Sequence, residues 1–259
     1  MAEQPKPPAK TPRDDRKGDA IKRVVYGRRQ GHKLHPRQAK LVEALLPRLR
    51  VDVGAEARPA DWFSRAFEAY ALEIGFGGGE HLASRARAQP DVGFIGCEPF
   101  LNGVAKLLIE IDEANLDNIA IYDDDARDVL EALPDHCLAQ IYLLYPDPWH
   151  KNRHDKRRFI SPQNLDQVFR VLRPEGRFMV ASDIPSYIDW TLSQIRAHGG
   201  FAWHNAAGDR QRAPEGWPGT RYEAKALREG RVPTYLDFIR LDSPTPGKLE
   251  ADNTDLRRR

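Results

Sequence analysis

From residue 70 onward, short apolar runs alternate with amphipathic stretches. YALEIGF (70–76) reads as a buried strand that runs into a cluster of glycines, and HLASRARAQ after Glu80 has helical spacing. VGFIGCEP (92–99) predicts a second strand, followed by a helix over 100–114. NIAIYDDDA predicts a third strand and RDVLEAL a short helix, then AQIYLLYPDPW (139–149) a fourth strand. SPQNLDQVFRVLR predicts a helix capped by Ser161 with Pro162 at its first position. GRFMVASD is a fifth strand, IPSYIDWTLSQIRAHG a helix, and FAWHN and TYLDFIRLD are the closing strands, with a long polar stretch over 205–230 between them. Such alternation predicts an α/β fold: a doubly wound, mostly parallel Rossmann-like sheet with right-handed crossovers.

Before residue 70 the pattern is simpler. A helix is expected from Pro36, with Leu41, Leu45, Leu46 and Leu49 on one stripe, and VDVGAEARPADW is expected to be a linker or loop. Residues 1–20 are rich in Pro, Lys and Asp and lack large apolar side chains, which predicts a disordered tail. The expected organisation is a tail over 1–20, one α/β domain over 21–243 that includes a basic arm and helix at 21–60, and a flexible tail over 244–259.

A chain of 259 residues is long enough for one such domain with appendages. Its formal charge of +2 conceals an asymmetry: residues 1–40 carry twelve Lys/Arg against four Asp/Glu, and the remainder 28 against 34. A basic arm on an acidic body points to a polyanionic partner. Within the arm, Val24, Val25 and Tyr26 interleave with Arg23, Arg28, Arg29, His32 and Arg37, a mixture suited to a phosphate backbone. Cys97 and Cys137 have apolar neighbours and neither C-x-x-C nor metal-ligand spacing, which suits a reducing cytoplasmic setting and predicts no metal. No apolar run approaches the roughly 20 residues of a membrane span, and MAEQPKPPAKTPRDD has no apolar core of a secretory signal.

The candidate chemistry starts at ALEIGFGGGE (71–80), where a strand, a glycine turn and a helix start form a nucleotide-type pocket. Gly75 and Gly77 let a ligand approach the backbone. The dinucleotide fingerprint would need glycine where Glu80 stands. Glu73 would repel a pyrophosphate but attract the cationic amino acid end of S-adenosylmethionine (AdoMet). These ten residues leave AdoMet, a dinucleotide and a plain glycine-rich loop as competing readings.

Ligands of a doubly wound sheet lie at the carboxyl ends of its strands. Five acids are expected there: Glu73, Glu98, Asp125, Asp147 and Asp183. Glu98 lies 25 residues beyond Glu73, at the next strand end, where a carboxylate accepts ribose hydroxyls. Asp125 is placed to take an adenine amino group while the Ala126 N–H binds a ring nitrogen. Pro146 and Pro148 lock the backbone on both sides of Asp147, and Trp149 and His150 offer flat faces to a base. Lys151, Arg153, Lys156, Arg157 and Arg158 follow, against Asp155 alone, so this mouth reads as a nucleic-acid surface.

With these segments in view, the chain resembles the bacterial tRNA (guanine-N7-)-methyltransferases, class I AdoMet-dependent enzymes that methylate a guanosine of the tRNA variable loop, position 46 in that family. The match rests on EIGFGGGEH (73–81), GCEP (96–99), PDPWHKNRHDKRR (146–158), SD (182–183) and TRYE (220–223), and runs from about Arg23 to Asp242. The resemblance implies that Glu73, Glu98, Asp125 and Asp147 hold AdoMet, that Asp147 is also the catalytic acid, and that Lys151, Asp183 and Thr220, Arg221, Tyr222 and Glu223 hold the substrate. It implies tRNA as partner and requires no protein partner. Arg221 stands where the family usually has Lys, so a planar fork replaces a point charge.

Guanine N7 has an in-plane lone pair and no proton, so its methylation needs placement more than a base. Asp147 is expected to stabilise the charge arriving on the purine and to orient it. Asp183 and Glu223 are alternative base readers, and Lys151, Arg153 and Arg157 phosphate contacts. Two competitors are an exocyclic-amine methyltransferase, disfavoured because Trp149 rather than a second proline follows Pro148, and a non-catalytic RNA-binding protein on the same fold.

Overall fold

The computed structural model describes residues 29–54, 57–149, 156–204 and 208–247. The expected tail over 1–20, most of the basic arm, and Lys151 and Arg153 lie outside the described residues. Seven strands form one sheet: β1 (Ala69–Ile74), β2 (Val92–Cys97), β3 (Ile119–Tyr122), β4 (Leu138–Leu144), β5 (Leu172–Ser182), β6 (Phe201–Trp203) and β7 (Thr234–Arg240). Their spatial order is β3-β2-β1-β4-β5-β7-β6. The β1–β2, β1–β4, β2–β3 and β4–β5 pairs are parallel, and β7 inserts antiparallel between β5 and β6. The strand order reverses at β1 and β4, so the crevice for a ligand opens at their carboxyl ends.

Alternate residues of each strand feed two apolar layers, as the two-residue period of a strand requires. Leu72, Ile95, Ile141 and Val180 pack on one side with α5 (Ala126–Ala132), α6 (Pro162–Val171) and α7 (Pro185–His198). Ala71, Phe94, Tyr142 and Met179 pack on the other with α3 (Glu80–Ala88) and α4 (Leu101–Ala114). Leu46, from the short helix α2 (Leu46–Leu49) that follows α1 (Pro36–Ala44), joins this second layer. The leucine stripe is therefore core packing, but Leu45 interrupts the single helix expected from Pro36 and divides it in two. Part of the expected linker, Pro59–Trp62, is a 3-10 turn.

Two other segments depart from expectation. The polar stretch over 205–230 contains a helix, α8 (Arg221–Arg228), whose cap is Thr220: its hydroxyl accepts the Glu223 N–H at 3.0 Å. β5 starts at Leu172, four residues before Gly176, and pairs there with Leu138 before an irregularity shifts the register. At the far end, the amides of Thr245 and Gly247 donate to the carbonyls of Gly199 and Arg196, which ties residues 245–247 to the end of α7.

Candidate active site

The glycine turn is shaped by its neighbour as much as by its own residues. Gly77 has φ 60°, a left-handed conformation that glycine adopts without steric cost. Helix α4 packs against it so closely that a Cβ at Gly103 would lie 2.1 Å from the Gly77 carbonyl oxygen. The Gly77 amide points the other way, to Glu98. The two Glu98 oxygens accept from Gly77 N–H at 2.7 Å and Phe100 N–H at 2.9 Å. Burial raises the pKa of Glu98 above its usual value; these two amides and the Arg221 guanidinium oppose that, and the Asp147 carboxylate adds to it.

Two adjoining cavities open at these strand ends. One, of about 560 Å³, is lined by Cys97, Asp124, Asp125, Ala126 and Arg127; the other, of about 480 Å³, by Gly77, Glu98, Asp147, Arg221 and Tyr222. Ile74, Gly75, Pro99, Trp149, Arg157 and Phe159 line both, so together they make one cleft. The structure thus brings Gly75, Gly77, Glu98, Asp125, Ala126, Asp147, Arg157, Arg221 and Tyr222 to a single opening.

Each acid in the run Asp123, Asp124, Asp125 has its own arginine. Arg50 makes a two-pronged contact to Asp123 at 2.9 and 2.8 Å, Arg29 reaches Asp124 at 2.7 Å, and Arg127 holds Asp125. Asp125 also caps α5 by accepting the Arg127 N–H at 3.0 Å. The part of the basic arm that is described is anchored on α4: the Arg29 carbonyl accepts from Leu101 N–H, and Asn102 bridges Gly31 and His32.

Asp147 stands exposed at the mouth, on a turn held from several directions. Tyr145 and Trp149, on either side of Pro146-Asp147-Pro148, both adopt left-handed backbone, with φ 49° and 44°. For non-glycine residues this is a strained conformation that surrounding contacts must maintain. Arg158 supplies some of them: its guanidinium, buried and 4.8 Å from the Trp190 ring, donates to the carbonyls of Pro148 and Trp149. One cation of the basic run is therefore a staple for the turn. Arg157 and Arg158 both line the cleft, and the Arg157 guanidinium lies 4.9 Å from the Trp149 ring centre.

Four expected site residues are absent from the lining of this cleft. Glu73 lies within β1, not after it; it is 3% exposed, and its carboxylate faces α3, where Oε2 is 2.6 Å from His81 Nδ1. Asp183 is held by Arg231, which also binds Glu229. Thr220 is used as the cap of α8. Glu223 is 8% exposed, and its carboxylate accepts from Trp217 Nε1 at 2.7 Å, Tyr235 OH at 2.9 Å and Tyr145 OH at 3.1 Å. His81, Trp217, Tyr145 and Tyr235 were not anticipated. EIGFGGGEH contains His81 without giving it a role, and the T-x-x-E spacing of Thr220 and Glu223 is a helix-start pattern that points to α8 and so to the surroundings of Glu223.

The residues fit AdoMet. An added Cβ on Gly75 would meet nothing within 4 Å, so the backbone is open to a ligand there. Glu98, at the next strand end, retains lone pairs for ribose hydroxyls beyond its two amide contacts. A parallel sheet with its crevice at β1 and β4, a glycine turn into α3, and acids at successive strand ends define a class I AdoMet-dependent methyltransferase. A family described as "Putative methyltransferase" matches residues 68–235. The tRNA (guanine-N(7)-)-methyltransferase of Azorhizobium caulinodans is 51% identical over 221 residues, covering 85% of this chain and 96% of that protein. The enzyme of the same name from Brucella melitensis is 53% identical over 219 residues, covering 83% and 94%. Among solved structures, the 16S rRNA methyltransferase KamB superposes with a TM-score of 0.51 at 18% identity, over 68% of this chain and 89% of that one, a likeness of fold. The chain belongs to the tRNA (guanine-N(7)-)-methyltransferase family.

Proposed function

We propose that the protein transfers a methyl group from AdoMet to N7 of a variable-loop guanosine in tRNA, with Asp147 as the group that meets the base. The observation that carries this reading is the shared cleft: Asp147, on its clamped turn, lines the same opening as Gly77, Glu98 and Arg221. The donor, when bound, supplies an electrophilic methyl group on a sulfonium sulfur. Glu98 holds ribose hydroxyls through its remaining lone pairs. Asp125 and the Ala126 N–H take the adenine, with Arg127 fixing the Asp125 carboxylate. Gly75 and Gly77 leave room for the amino acid end. Glu73 acts from behind the turn, its buried carboxyl group oriented by His81.

Guanine enters beside Asp147. No proton leaves N7, so the protein's task is alignment and charge. The Asp147 carboxylate stabilises the positive charge that develops on the purine ring. Tyr222 packs over Gly77 (an added Cβ there would lie 3.1 Å from its ring), and it forms the cleft wall with Arg221. Arg157 and Arg221 hold phosphates, joined by Lys151 and Arg153 from the segment outside the described residues. Asp183 and Thr220 support the substrate side by fixing Arg231 and α8. The reading needs neither a metal nor a protein partner, and it places the enzyme in the cytoplasm with its tRNA. Among the described residues no helix is long and apolar enough to cross a membrane.

The test is incubation with radiolabelled AdoMet and unmodified tRNA, followed by digestion and nucleoside identification. Label in 7-methylguanosine, lost when the variable-loop guanosine is replaced, is the expected result. Label in another nucleoside would discard the base assignment and keep the cofactor. No label despite AdoMet binding would discard tRNA methylation.

A further inference from the structure

Glu223 has the coordination of a structural hub although it sits among residues expected to touch the substrate. Its buried carboxylate has three donors from three different parts of the chain. Tyr145 directly follows β4, two residues before Asp147. Trp217 lies in the approach to α8, and Tyr235 is on β7. Glu223 itself is on α8, which carries Arg221 and Tyr222 to the cleft wall.

We propose that Glu223 is a positioning residue: its carboxylate clamps the Asp147 turn, through Tyr145, to helix α8, and it does this in place of reading the guanine. Tyr145 is the joint. Its backbone N–H donates to the Ala181 carbonyl at 2.8 Å, and its hydroxyl donates to Glu223 at 3.1 Å. The left-handed conformation of Tyr145 is thus fixed at both ends, and with it the direction in which Pro146-Asp147-Pro148 leaves the sheet. Burial and the adjacent Glu223 charge raise the pKa values of Tyr145 and Tyr235, so both phenols keep the protons they donate. The clamp also reaches the glycine turn. The Trp217 ring stands 4.8 Å from that of His81, whose Nδ1 is paired with Glu73. One carboxylate therefore sets the spacing between the wall that carries Arg221 and Tyr222 and the acid that faces the base. A guanine reader would need its lone pairs turned to the cleft, whereas three of the roughly four acceptor sites of Glu223 are taken by internal donors.

This inference rests on the guanosine-N7 reading. It is tested with wild type, Glu223→Gln and Tyr145→Phe, each assayed on a tRNA transcript carrying guanosine or inosine at the target position. Inosine lacks the exocyclic amino group that a base-reading carboxylate would accept from. AdoMet affinity is measured separately by calorimetry. A clamp predicts that both variants lose about tenfold or more in kcat, since small misplacements at a reacting centre are costly. It also predicts AdoMet affinity within about twofold of wild type and the same guanosine-to-inosine penalty in Glu223→Gln as in wild type. A penalty abolished in Glu223→Gln, or wild-type kcat in Tyr145→Phe, would overturn it. If Glu223→Gln does not fold, Tyr145→Phe and Tyr235→Phe carry the test, because each removes one donor and leaves the carboxylate. Failure of wild type to form 7-methylguanosine on the guanosine transcript would be a failure of the reaction assignment instead.

Discussion

The Glu98 carboxylate meets the Gly77 amide at 2.7 Å, so the end of β2 grips the turn that follows β1. The contact spans 21 residues and is buried. It shapes the backbone that would receive the methionine part of AdoMet and leaves the other lone pairs of Glu98 for the ribose.

Glu98→Gln should therefore damage cofactor binding twice, by losing charge and by placing an amide N–H against a backbone donor. Hydrogen bonds to charged groups contribute about 1.5–3 kcal/mol, and about 1.4 kcal/mol is tenfold in affinity. The expected outcome in calorimetric titration is an AdoMet dissociation constant raised about tenfold or more. Unchanged affinity would remove Glu98 from the cofactor site.

The contact between α4 and the turn gives a second expectation. An alanine methyl at Gly103 would meet the Gly77 carbonyl oxygen at 2.1 Å, a backbone atom that cannot swing aside. Overpacking of this kind costs about 1–3 kcal/mol. Gly103→Ala should lower the denaturation midpoint and weaken AdoMet binding together. Gly54→Ala is the control, because its nearest neighbour would be the Asp52 side chain at 4.0 Å, and it should change neither property. Wild-type behaviour of Gly103→Ala would mean that α4 moves without consequence for the site.

Asp125 combines two roles that substitution can separate. As cap of α5 it accepts the Arg127 N–H, and loss of such a cap costs about 0.5–2 kcal/mol. Asp125→Ser keeps a capping oxygen but removes the charge. It should retain near-wild-type stability in urea titration while AdoMet affinity falls, whereas Asp125→Ala should lose both. Equal AdoMet affinity in wild type and the serine variant would confine Asp125 to the cap.

Much of this site was legible in the chain because strand and helix periods differ and strand ends are marked by acids. Glu98, Asp125 and Asp147 lie at the cleft as the alternation of elements required. Glu73 shows where that reasoning stops: a position one residue inside a strand differs from one just beyond it only by the end of pairing, and the former points into a layer. The same limit applies to Glu223 and Asp183. An acid at a strand or helix end looks alike whether its partner is a substrate or a distant side chain, and Tyr145, Trp217 and Arg231 reach these acids only through tertiary folding. Helix α8 was missed for a related reason. Its polar composition suggests a loop, while the buried face that makes it a helix contains a glutamate and an alanine, Glu223 and Ala226.

Asp147 makes the sharpest catalytic expectation because it is exposed while its turn is held by neighbours, namely Arg158 through the carbonyls of Pro148 and Trp149 and Tyr145 through Glu223. Its side chain can be removed without dismantling the turn. Asp147→Ala should fold normally by circular dichroism and lose about 10²-fold or more in kcat, the scale on which single electrostatic groups act in transition states. AdoMet affinity should fall less than turnover. Turnover close to wild type would take Asp147 out of the chemistry.

The raised pKa of Glu98 predicts opposite pH trends for folding and for binding. Burial is the main cause, and it favours the neutral acid in the folded state above its ordinary value of 4.5. The folded chain then holds this proton at pH values where the unfolded chain has released it. Its contribution to stability is fully present below the unfolded pKa and is lost as pH rises through the folded one. Cofactor binding runs the other way, since the ionised carboxylate is the better acceptor for ribose hydroxyls. AdoMet affinity should therefore rise as pH climbs from 4.5 through the raised value, and Glu98→Gln should flatten that rise. Calorimetric titrations across this range, with thermal melts on the same samples, separate the two trends. An identical pH slope in wild type and Glu98→Gln would assign the dependence to another group.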